Sequence, residues 1–263
     1  MTPATRRTLG SLLFNIFYFG LVASILLSLW VLLPFRAHAF RRGVRIWGTG
    51  TVWGLKTFVG IDHEIRGTGN LPDGPVIYAA KHQSAWDTSF FLVLNPDTAY
   101  VMKSELLKIP FWGWYMRKAR HVAVDRKGGA SALKLMIKGV QDILAEGRSV
   151  VVFPEGTRVA PGETGQYFGG VAAIATQSGV PVIPVAVNSG MFWGRRSFVK
   201  TPGTIVLEFL PAMPDDLDRR AFMTELQARI ETATRKLEAE AAQAIDQAAD
   251  QAADQAVDET PSG

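Results

Sequence analysis

The chain has 263 residues, of which 48% are hydrophobic, so it can build one large domain or two small ones with a filled core. It contains no cysteine, which excludes disulfides and thiolate metal ligands. The net formal charge of +4 is unevenly distributed: residues 1–61 carry seven Arg or Lys and no acid, whereas residues 238–263 carry seven acids and no base. A basic, apolar, tryptophan-bearing N terminus favours an anionic membrane surface, and not nucleic acid, as partner.

Residues 1–60 are predicted to form a membrane-anchoring helical region. The stretch Leu9–Phe35 has no charged residue and is long enough to cross a bilayer core or to lie in one leaflet, with Pro34 near a bend. The alternative is a cleaved signal peptide, because Ala37-His38-Ala39 resembles a cleavage site. We favour a retained anchor, because the apolar stretch is longer than the roughly 7–15 residues of a signal peptide. Phe40–Val59 mixes basic and aromatic side chains, which suits the headgroup layer.

From Ile61 onward, short β-rich runs alternate with helical stretches, which predicts an α/β sheet domain over residues 61–214. We expect strands near Asp62–Arg66, Val76–Ala80, Ala99–Met102, His121–Val124, Ser149–Phe153, Val182–Val187 and Thr204–Leu210. We expect helices near Ser89–Leu94, Trp112–Arg117, Ala130–Glu146 and Gly170–Ser178.

A terminal helix is expected over residues 215–240. Residues 241–263 form an Asp-Gln-Ala repeat in which Asp246, Asp250 and Asp254 recur every four residues. Like charges at that spacing repel one another on a helix, so this tail is expected to be disordered.

The first candidate site follows the buried strand Val76–Ala80, which delivers His82 to a turn before a helix that opens near Ser84. On one continuous helix His82 and Asp87 would lie on different faces. With His82 in the turn, the chain can fold back so that the Asp87 carboxylate orients the imidazole. Such a pair removes protons from hydroxyl nucleophiles. The structural alternative is that Ser84-x-x-Asp87 is only a capping box.

The second candidate site follows the hydrophobic strand Val150–Phe153. Gly156 permits close backbone approach, Thr157 offers a hydroxyl, and Arg158 offers a bidentate fork for phosphate. The alternative is an ordinary turn with a surface arginine.

Two further cations, Lys103 and Arg126, also lie just after predicted strands. Together with Arg158 they predict an anion site. The sequence has no Gly-rich phosphate loop, so a nucleotide site is not indicated.

The motifs KHQSAWD, KSELLKIPFWGW with VDR, FPEGTR and VPVIPVAVNSG stand in the order and spacing of the four motif blocks of the glycerolipid acyltransferases. Over Ile61–Leu210 and the hydrophobic N terminus, the chain resembles the bacterial 1-acyl-sn-glycerol-3-phosphate acyltransferases of that family. The resemblance implies a largely parallel sheet of about seven strands flanked by helices. It also implies transfer of a fatty acyl group from an acyl thioester to the sn-2 hydroxyl of lysophosphatidate, giving phosphatidate. No cofactor is implied, and acyl-CoA or acyl-acyl carrier protein is the co-substrate.

The resemblance assigns roles to particular residues. It makes His82 the general base and Asp87 its orienting partner, with backbone N–H groups after His82 expected to bind the tetrahedral oxyanion. No metal ligand is implied. The substrate-binding residues would be Lys103, Arg126, Glu155, Gly156, Thr157 and Arg158. The block Val180–Asn188 would help to shape a substrate tunnel.

The sequence departs from the family pattern at two places. Arg120 stands where the family usually has glycine, and Tyr167-Phe168-Gly169-Gly170 stands where a Tyr-Lys-Pro-Gly run is common. The second departure removes a lysine, so no additional cation is expected there.

Other functions remain open at this stage. The acceptor could be another lysolipid, such as lyso-ornithine lipid. A membrane-bound serine lipid hydrolase would use Ser84, although no G-x-S-x-G elbow surrounds it. A membrane-attached binding protein would need neither His82 nor Asp87. The basic residues after the apolar stretch predict an inner (cytoplasmic) membrane location, with the α/β domain facing the cytoplasm.

Overall fold

The computed structural model describes residues 3–32, 34, 37–125 and 127–258. Seven strands form one sheet in the order β1-β7-β6-β2-β5-β3-β4. The strands are β1 Ile61–Arg66, β2 Ile77–Ala80, β3 Ala99–Lys103, β4 Val122–Val124, β5 Val150–Val152, β6 Val182–Val187 and β7 Gly203–Phe209. Only the β6–β7 pair is antiparallel. The predicted largely parallel sheet is therefore confirmed, and each predicted strand lies within one residue of its expected ends.

Helices cover both faces of the sheet. They are α1 Pro3–Ser28, α2 Ala37–Gly54, α3 Ala85–Leu94, α4 Trp112–Lys118, α5 Gly129–Ala145, α6 Gly170–Ser178 and α7 Arg219–Asp258. Alternate residues of β2 face opposite sides, as the two-residue strand period requires. Ile77 and Ala79 join the core under α5, α6 and the first half of α7, whereas Tyr78 and Ala80 join the core under α1, α2 and α3.

The N-terminal helices form an antiparallel hairpin. Gly50 and Gly54 of α2 face Leu21 and Phe17 of α1, and a Cβ atom at Gly54 would lie 2.6 Å from the Phe17 ring. The stretch Ala4–Ser28 is long and apolar enough to cross a membrane, and its most apolar window is only 11% buried against the protein. This exposed apolar helix is a candidate membrane anchor and suggests membrane association.

The polar side of α1 is bonded to the loop before β7. The Lys200 backbone N–H donates to Ser11 Oγ at 2.9 Å, and Arg7 Nε donates to the Lys200 carbonyl at 3.0 Å. The ammonium of Lys200 is buried and donates to Asn15 Oδ1 at 2.6 Å. Helix α1 is thus attached to the α/β domain through its first half.

The C-terminal helix is longer than predicted. Asp218 caps it by accepting from the backbone N–H groups of Arg220 and Ala221, and the helix runs to Asp258. The helix continues through residues 241–258, where the sequence predicted disorder, and residues 259–263 lie outside the described chain. Ala241 is buried and Ile245 packs on the core. Alanine also favours helix, while each repulsive pair costs only about 0.2–0.5 kcal/mol.

Candidate active site

His82 lies in the turn between β2 and α3, and its imidazole meets the Asp87 carboxylate as the spacing predicted. The distance from His82 Nδ1 to Asp87 Oδ2 is 2.9 Å. The imidazole stacks on the Phe153 ring, with 3.9 Å between ring centroids and 18° between planes. Phe153 follows β5, so the sheet itself fixes the plane of the His82 ring.

Asp87 has both of the roles that the sequence left open. Its Oδ2 accepts from the backbone N–H groups of Gln83 at 2.7 Å and Ser84 at 2.8 Å, which completes the capping box of α3. Its Oδ1 accepts from the Ser189 hydroxyl at 2.5 Å. The carboxylate is therefore buried, fully hydrogen-bonded and fixed in orientation. Ser189 lies within the VNSG run, but its contact with Asp87 could not be found from sequence spacing.

These bonds correct the prediction for the oxyanion donors. The N–H groups of Gln83 and Ser84 are engaged by Asp87, and the Trp86 N–H donates to Ser84 Oγ at 3.2 Å. Three of the backbone donors expected to face an oxyanion thus stabilise the start of α3 instead.

Ser84 is not placed as a nucleophile. Its side chain is fully buried and caps α3, and it does not line the cavity that contains His82. The geometry therefore gives no support to a serine hydrolase.

Glu155 stabilises the His82 turn through a backbone hydrogen bond and a buried ion pair. Its Oε1 lies 2.7 Å from Lys81 Nζ, and its Oε2 accepts from the His82 backbone N–H at 3.2 Å. Lys81 Nζ also lies 2.8 Å from Glu231 Oε1 of α7, and burial raises the pKa of the Glu155 carboxyl. Although Glu155 was predicted to bind substrate, the structure directs its carboxylate into this buried ion cluster, away from the cavity.

A second contact from α7 reaches the residue next to His82. Gln83 donates to Glu238 Oε1 at 2.6 Å and accepts from the Gly190 N–H at 3.1 Å. Glu238 Oε2 also accepts from the Gly162 N–H at 3.0 Å. Glu231 and Glu238 are seven residues apart, which indicates a shared helix face. Nothing in the sequence says that this face meets the His82 turn.

A cavity of about 320 Å³ opens at His82. Gly156 and Thr157 line it on one side, as predicted. Its apolar walls include Val22, Ile25 and Leu26 of α1, Val44 and Trp47 of α2, and Leu92 of α3. The N-terminal hairpin is therefore part of the cavity as well as a candidate anchor.

Among the described residues, three cations line the same cavity: Lys103, Arg158 and Arg195. No Asp or Glu is among the described residues that line it, and none of the three forms an ion pair in the described part of the chain. Lys103 and Arg158 were predicted, whereas Arg126 lies outside the described residues. Arg195 was missed, and its only sequence signal is an Arg-Arg pair soon after the VNSG run.

The Val180–Asn188 block does not line this cavity. Its strand β6 is buried along its whole length in the middle of the sheet. Asn188 Oδ1 accepts from the Val206 N–H at 2.8 Å, so the block connects β6 to β7 and leads into Ser189. This cavity therefore gives no support to the expected tunnel-shaping role, because β6 is a central strand covered on both faces and none of its side chains lines the cavity.

Together, the α/β sheet, the His–Asp pair and the cationic cavity describe an enzyme site for an anionic substrate with an apolar tail. A family profile described as Acyltransferase matches residues 62–188. A 1-acyl-sn-glycerol-3-phosphate acyltransferase from Pseudomonas aeruginosa is 37% identical over 200 residues, covering 76% of this chain and 77% of that protein. The chain belongs to this acyltransferase family.

Two further proteins, with lower sequence identity, are also similar to this chain. A Saccharomyces cerevisiae protein of the same name is 32% identical over 139 residues, covering 51% of this chain and 46% of that protein. The crystal structure of the 1-acyl-sn-glycerophosphate (LPA) acyltransferase PlsC from Thermotoga maritima superimposes with a TM-score of 0.71. It is 23% identical and covers 87% of this chain and 96% of that chain, so the two proteins share a fold.

Proposed function

We propose that the protein transfers a fatty acyl group from an acyl thioester to the sn-2 hydroxyl of 1-acyl-sn-glycerol-3-phosphate, giving phosphatidate. The observation that carries this proposal is the His82–Asp87 pair, with 2.9 Å between Nδ1 and Oδ2, whose imidazole lines a cavity that has both cationic and apolar residues in its walls. The acceptor named for the Pseudomonas relative has the same two properties, a phosphate and an acyl chain.

In the proposed reaction, Asp87 holds His82 Nδ1 and leaves Nε2 to remove the proton from the acceptor hydroxyl. The acceptor oxygen attacks the thioester carbonyl carbon and forms a tetrahedral oxyanion. Collapse of this intermediate breaks the carbon–sulfur bond, and the imidazolium returns the proton to the departing sulfur. The products are the new ester and a free thiol, carried by coenzyme A or by acyl carrier protein.

We assign oxyanion stabilisation to the loop at residues 156–158. The Val159 N–H donates to the His82 carbonyl at 2.8 Å, which holds this loop beside the base. Thr157 lines the cavity and is exposed, so its hydroxyl is available to an oxyanion. Preorganised donors of this kind are worth roughly 10²–10³ in kcat.

The acceptor phosphate is assigned to Lys103 and Arg158, with Arg126 as the third contact implied by the family resemblance. The planar fork of arginine matches two phosphate oxygens at once. The acyl chain of the acceptor would lie against α1 and α2, and this arrangement favours an enzyme that takes its lipid from the membrane.

An acceptor panel with one labelled acyl donor tests the proposal. Wild-type protein should acylate lysophosphatidate, and His82→Ala should reduce the rate by roughly 10²–10⁴ without unfolding the domain. Asp87→Asn should come close to that loss, whereas Ser84→Ala should retain substantial activity.

A preference for lyso-ornithine lipid would change the acceptor but keep the reaction. Release of free fatty acid without any acceptor would indicate a hydrolase. Activity within threefold of wild type in His82→Ala would contradict the proposed base.

A further inference from the structure

Four large apolar side chains are exposed on residues 104–114, which comprise the connection from β3 to α4 and the first turn of α4. Leu106 is 37% exposed, Ile109 48%, Phe111 42% and Trp114 50%. We propose that this segment, called here the Phe111 segment, is a second membrane-contacting surface, which inserts these side chains into an anionic phospholipid surface beside the N-terminal hairpin.

The backbone at Phe111 has a strained conformation. Phe111 has φ 61° and ψ −53°, and the Trp112 N–H donates to the Pro110 carbonyl at 2.6 Å. These values describe a γ-turn of the rare, strained kind. Such strain in a bulky residue persists only where the surroundings impose it, and it is concentrated at functional segments.

The surroundings of the turn leave it little freedom. A Cβ atom at Gly113 would lie 2.1 Å from the Leu107 carbonyl oxygen, so only glycine permits this close approach. The Gly113 N–H also donates to the Ile109 carbonyl at 2.8 Å. The packed loop therefore holds Phe111 in its strained turn, with the side chain exposed.

The Phe111 segment adjoins the apolar surface of the hairpin. The Trp112 ring lies edge-on to Trp47 of α2 at 6.2 Å, and the Tyr115 hydroxyl donates to the Leu26 carbonyl of α1. Immediately beyond Leu26, Leu27 and Trp30 are exposed. The two apolar surfaces thus adjoin where α4 meets the end of α1.

The charges around the Phe111 segment complement anionic headgroups. Lys103 and Lys108 are exposed on its N-terminal side, and Arg117 is exposed on α4. Glu105 is the acid within the segment. Basic side chains beside inserted aromatic ones are the combination that binds anionic membrane surfaces.

This placement also bears on how a lipid reaches His82. Leu106 and Trp112 line the cavity together with Leu26, so the Phe111 segment and the hairpin border the same opening. A segment inserted beside the hairpin would align that opening with the bilayer. This last step rests on the proposed function, whereas the membrane contact does not.

The absence of native cysteine makes a direct test possible, because a single introduced thiol can be labelled alone. The full-length variants Ile109→Cys and Leu135→Cys would carry an environment-sensitive fluorophore. Leu135 is the matched control, since it is exposed on α5, on the opposite face of the sheet. Phe19→Cys, exposed on α1, reports anchoring by the hairpin.

With vesicles of equal phosphatidylglycerol and phosphatidylcholine, we expect the probe at 109 to shift to the blue and to be quenched by brominated lipid chains. The probe at 135 should not respond. An unresponsive probe at 109 would overturn the proposal, whether or not the probe at 19 responds. An equal response at 109 and 135 would also overturn it.

A second variant separates membrane contact from folding. Phe111→Gly should relieve the strained turn and so preserve or raise thermal stability. It should nevertheless lower activity on vesicle-embedded acceptor about tenfold, the effect of losing one inserted aromatic side chain. Activity on a dispersed short-chain acceptor should be unchanged, and Leu135→Ser should change neither activity.

Equal vesicle activity in Phe111→Gly and wild type would contradict the insertion of Phe111. If the wild-type protein acylated no lysolipid at all, the proposed function would fail, while the fluorescence result would still decide the membrane contact.

Discussion

Arg195 adds a third cation to the cavity, from a loop far along the chain from the other two. Its guanidinium donates to the Arg158 carbonyl at 3.4 Å, which holds it near the loop at residues 156–158. Its neighbour Arg196 does not line the cavity. This pair allows two arginines of equal charge and adjacent position to be compared.

We expect Arg195→Ala to raise the acceptor KM about tenfold or more, because a hydrogen bond to a charged group is worth roughly 1.5–3 kcal/mol. Arg196→Ala should leave it within about twofold, since surface charges act weakly when screened by solvent. Steady-state kinetics with lysophosphatidate would measure both values. If both variants raised the acceptor KM equally, only the overall charge of the loop would affect acceptor binding.

Arg120 has a backbone conformation that glycine adopts more readily than any other residue. Its φ is 60°, in the left-handed region, and its guanidinium forms an ion pair with Glu146. Arg120→Gly and Arg120→Ala both remove that pair, but only glycine relieves the backbone. We expect the glycine variant to be more stable than the alanine variant by about 1 kcal/mol in denaturant unfolding. An alanine variant of equal or greater stability would contradict the strain.

At the scale of the secondary-structure elements, α7 stabilises the turn that carries His82. Glu231 and Glu238 reach Lys81 and Gln83, the two residues that flank His82. The terminal helix thus helps to fix the position of His82, although none of its described side chains lines the cavity.

Glu238→Gln should therefore reduce kcat more than it changes the acceptor KM. It should also lower the free energy of unfolding by about 1–3 kcal/mol, because buried N–H donors lose a charged acceptor. Glu240→Gln is the control, since Glu240 pairs with Arg66 at 2.7 Å on a more exposed part of the same helix. Similar losses of kcat in both variants would show that α7 acts only through general stability.

The parts of the site that could be predicted from sequence are local ones. The His82–Asp87 contact depends on the short turn between β2 and α3. Thr157 and Arg158 lie in the loop after β5, a strand whose ends were predicted to within one residue. Glu155 follows the same strand but faces inward, because Lys81 and α7 fill that side with charge. Arg195 and Ser189 depend on which strands are neighbours, and a single sequence does not contain that information.

At the scale of the whole molecule, α1 is attached to the α/β domain through its first half. Its side chains Arg7, Ser11 and Asn15 all bond to the loop at residues 198–201, so the helix and the domain are held together. The exposed apolar face of α1 therefore suggests that the hairpin and the α/β domain associate with a membrane as one unit.

High-salt washing should leave the full-length protein in the membrane fraction, because salt does not screen the burial of the apolar face of α1 in lipid. Detergent should release it. N-terminal sequencing of the mature protein provides the second measurement. A chain that begins at Phe40 would indicate cleavage after Ala39 and would contradict a retained anchor.

Because the hairpin forms part of the cavity wall, we expect the reaction rate to depend on the concentration of acceptor within the membrane. The cavity is lined by three residues of the hairpin, Val22, Ile25 and Leu26. We therefore expect an acceptor to move from the lipid layer to His82 without crossing water. The relevant quantity is then the mole fraction of acceptor in the bilayer, and not its amount per volume of buffer. Diluting the membrane with inert lipid would slow the reaction at constant total acceptor. Diluting the whole suspension with buffer would not lower the turnover per enzyme, provided that the water-soluble acyl donor stays saturating.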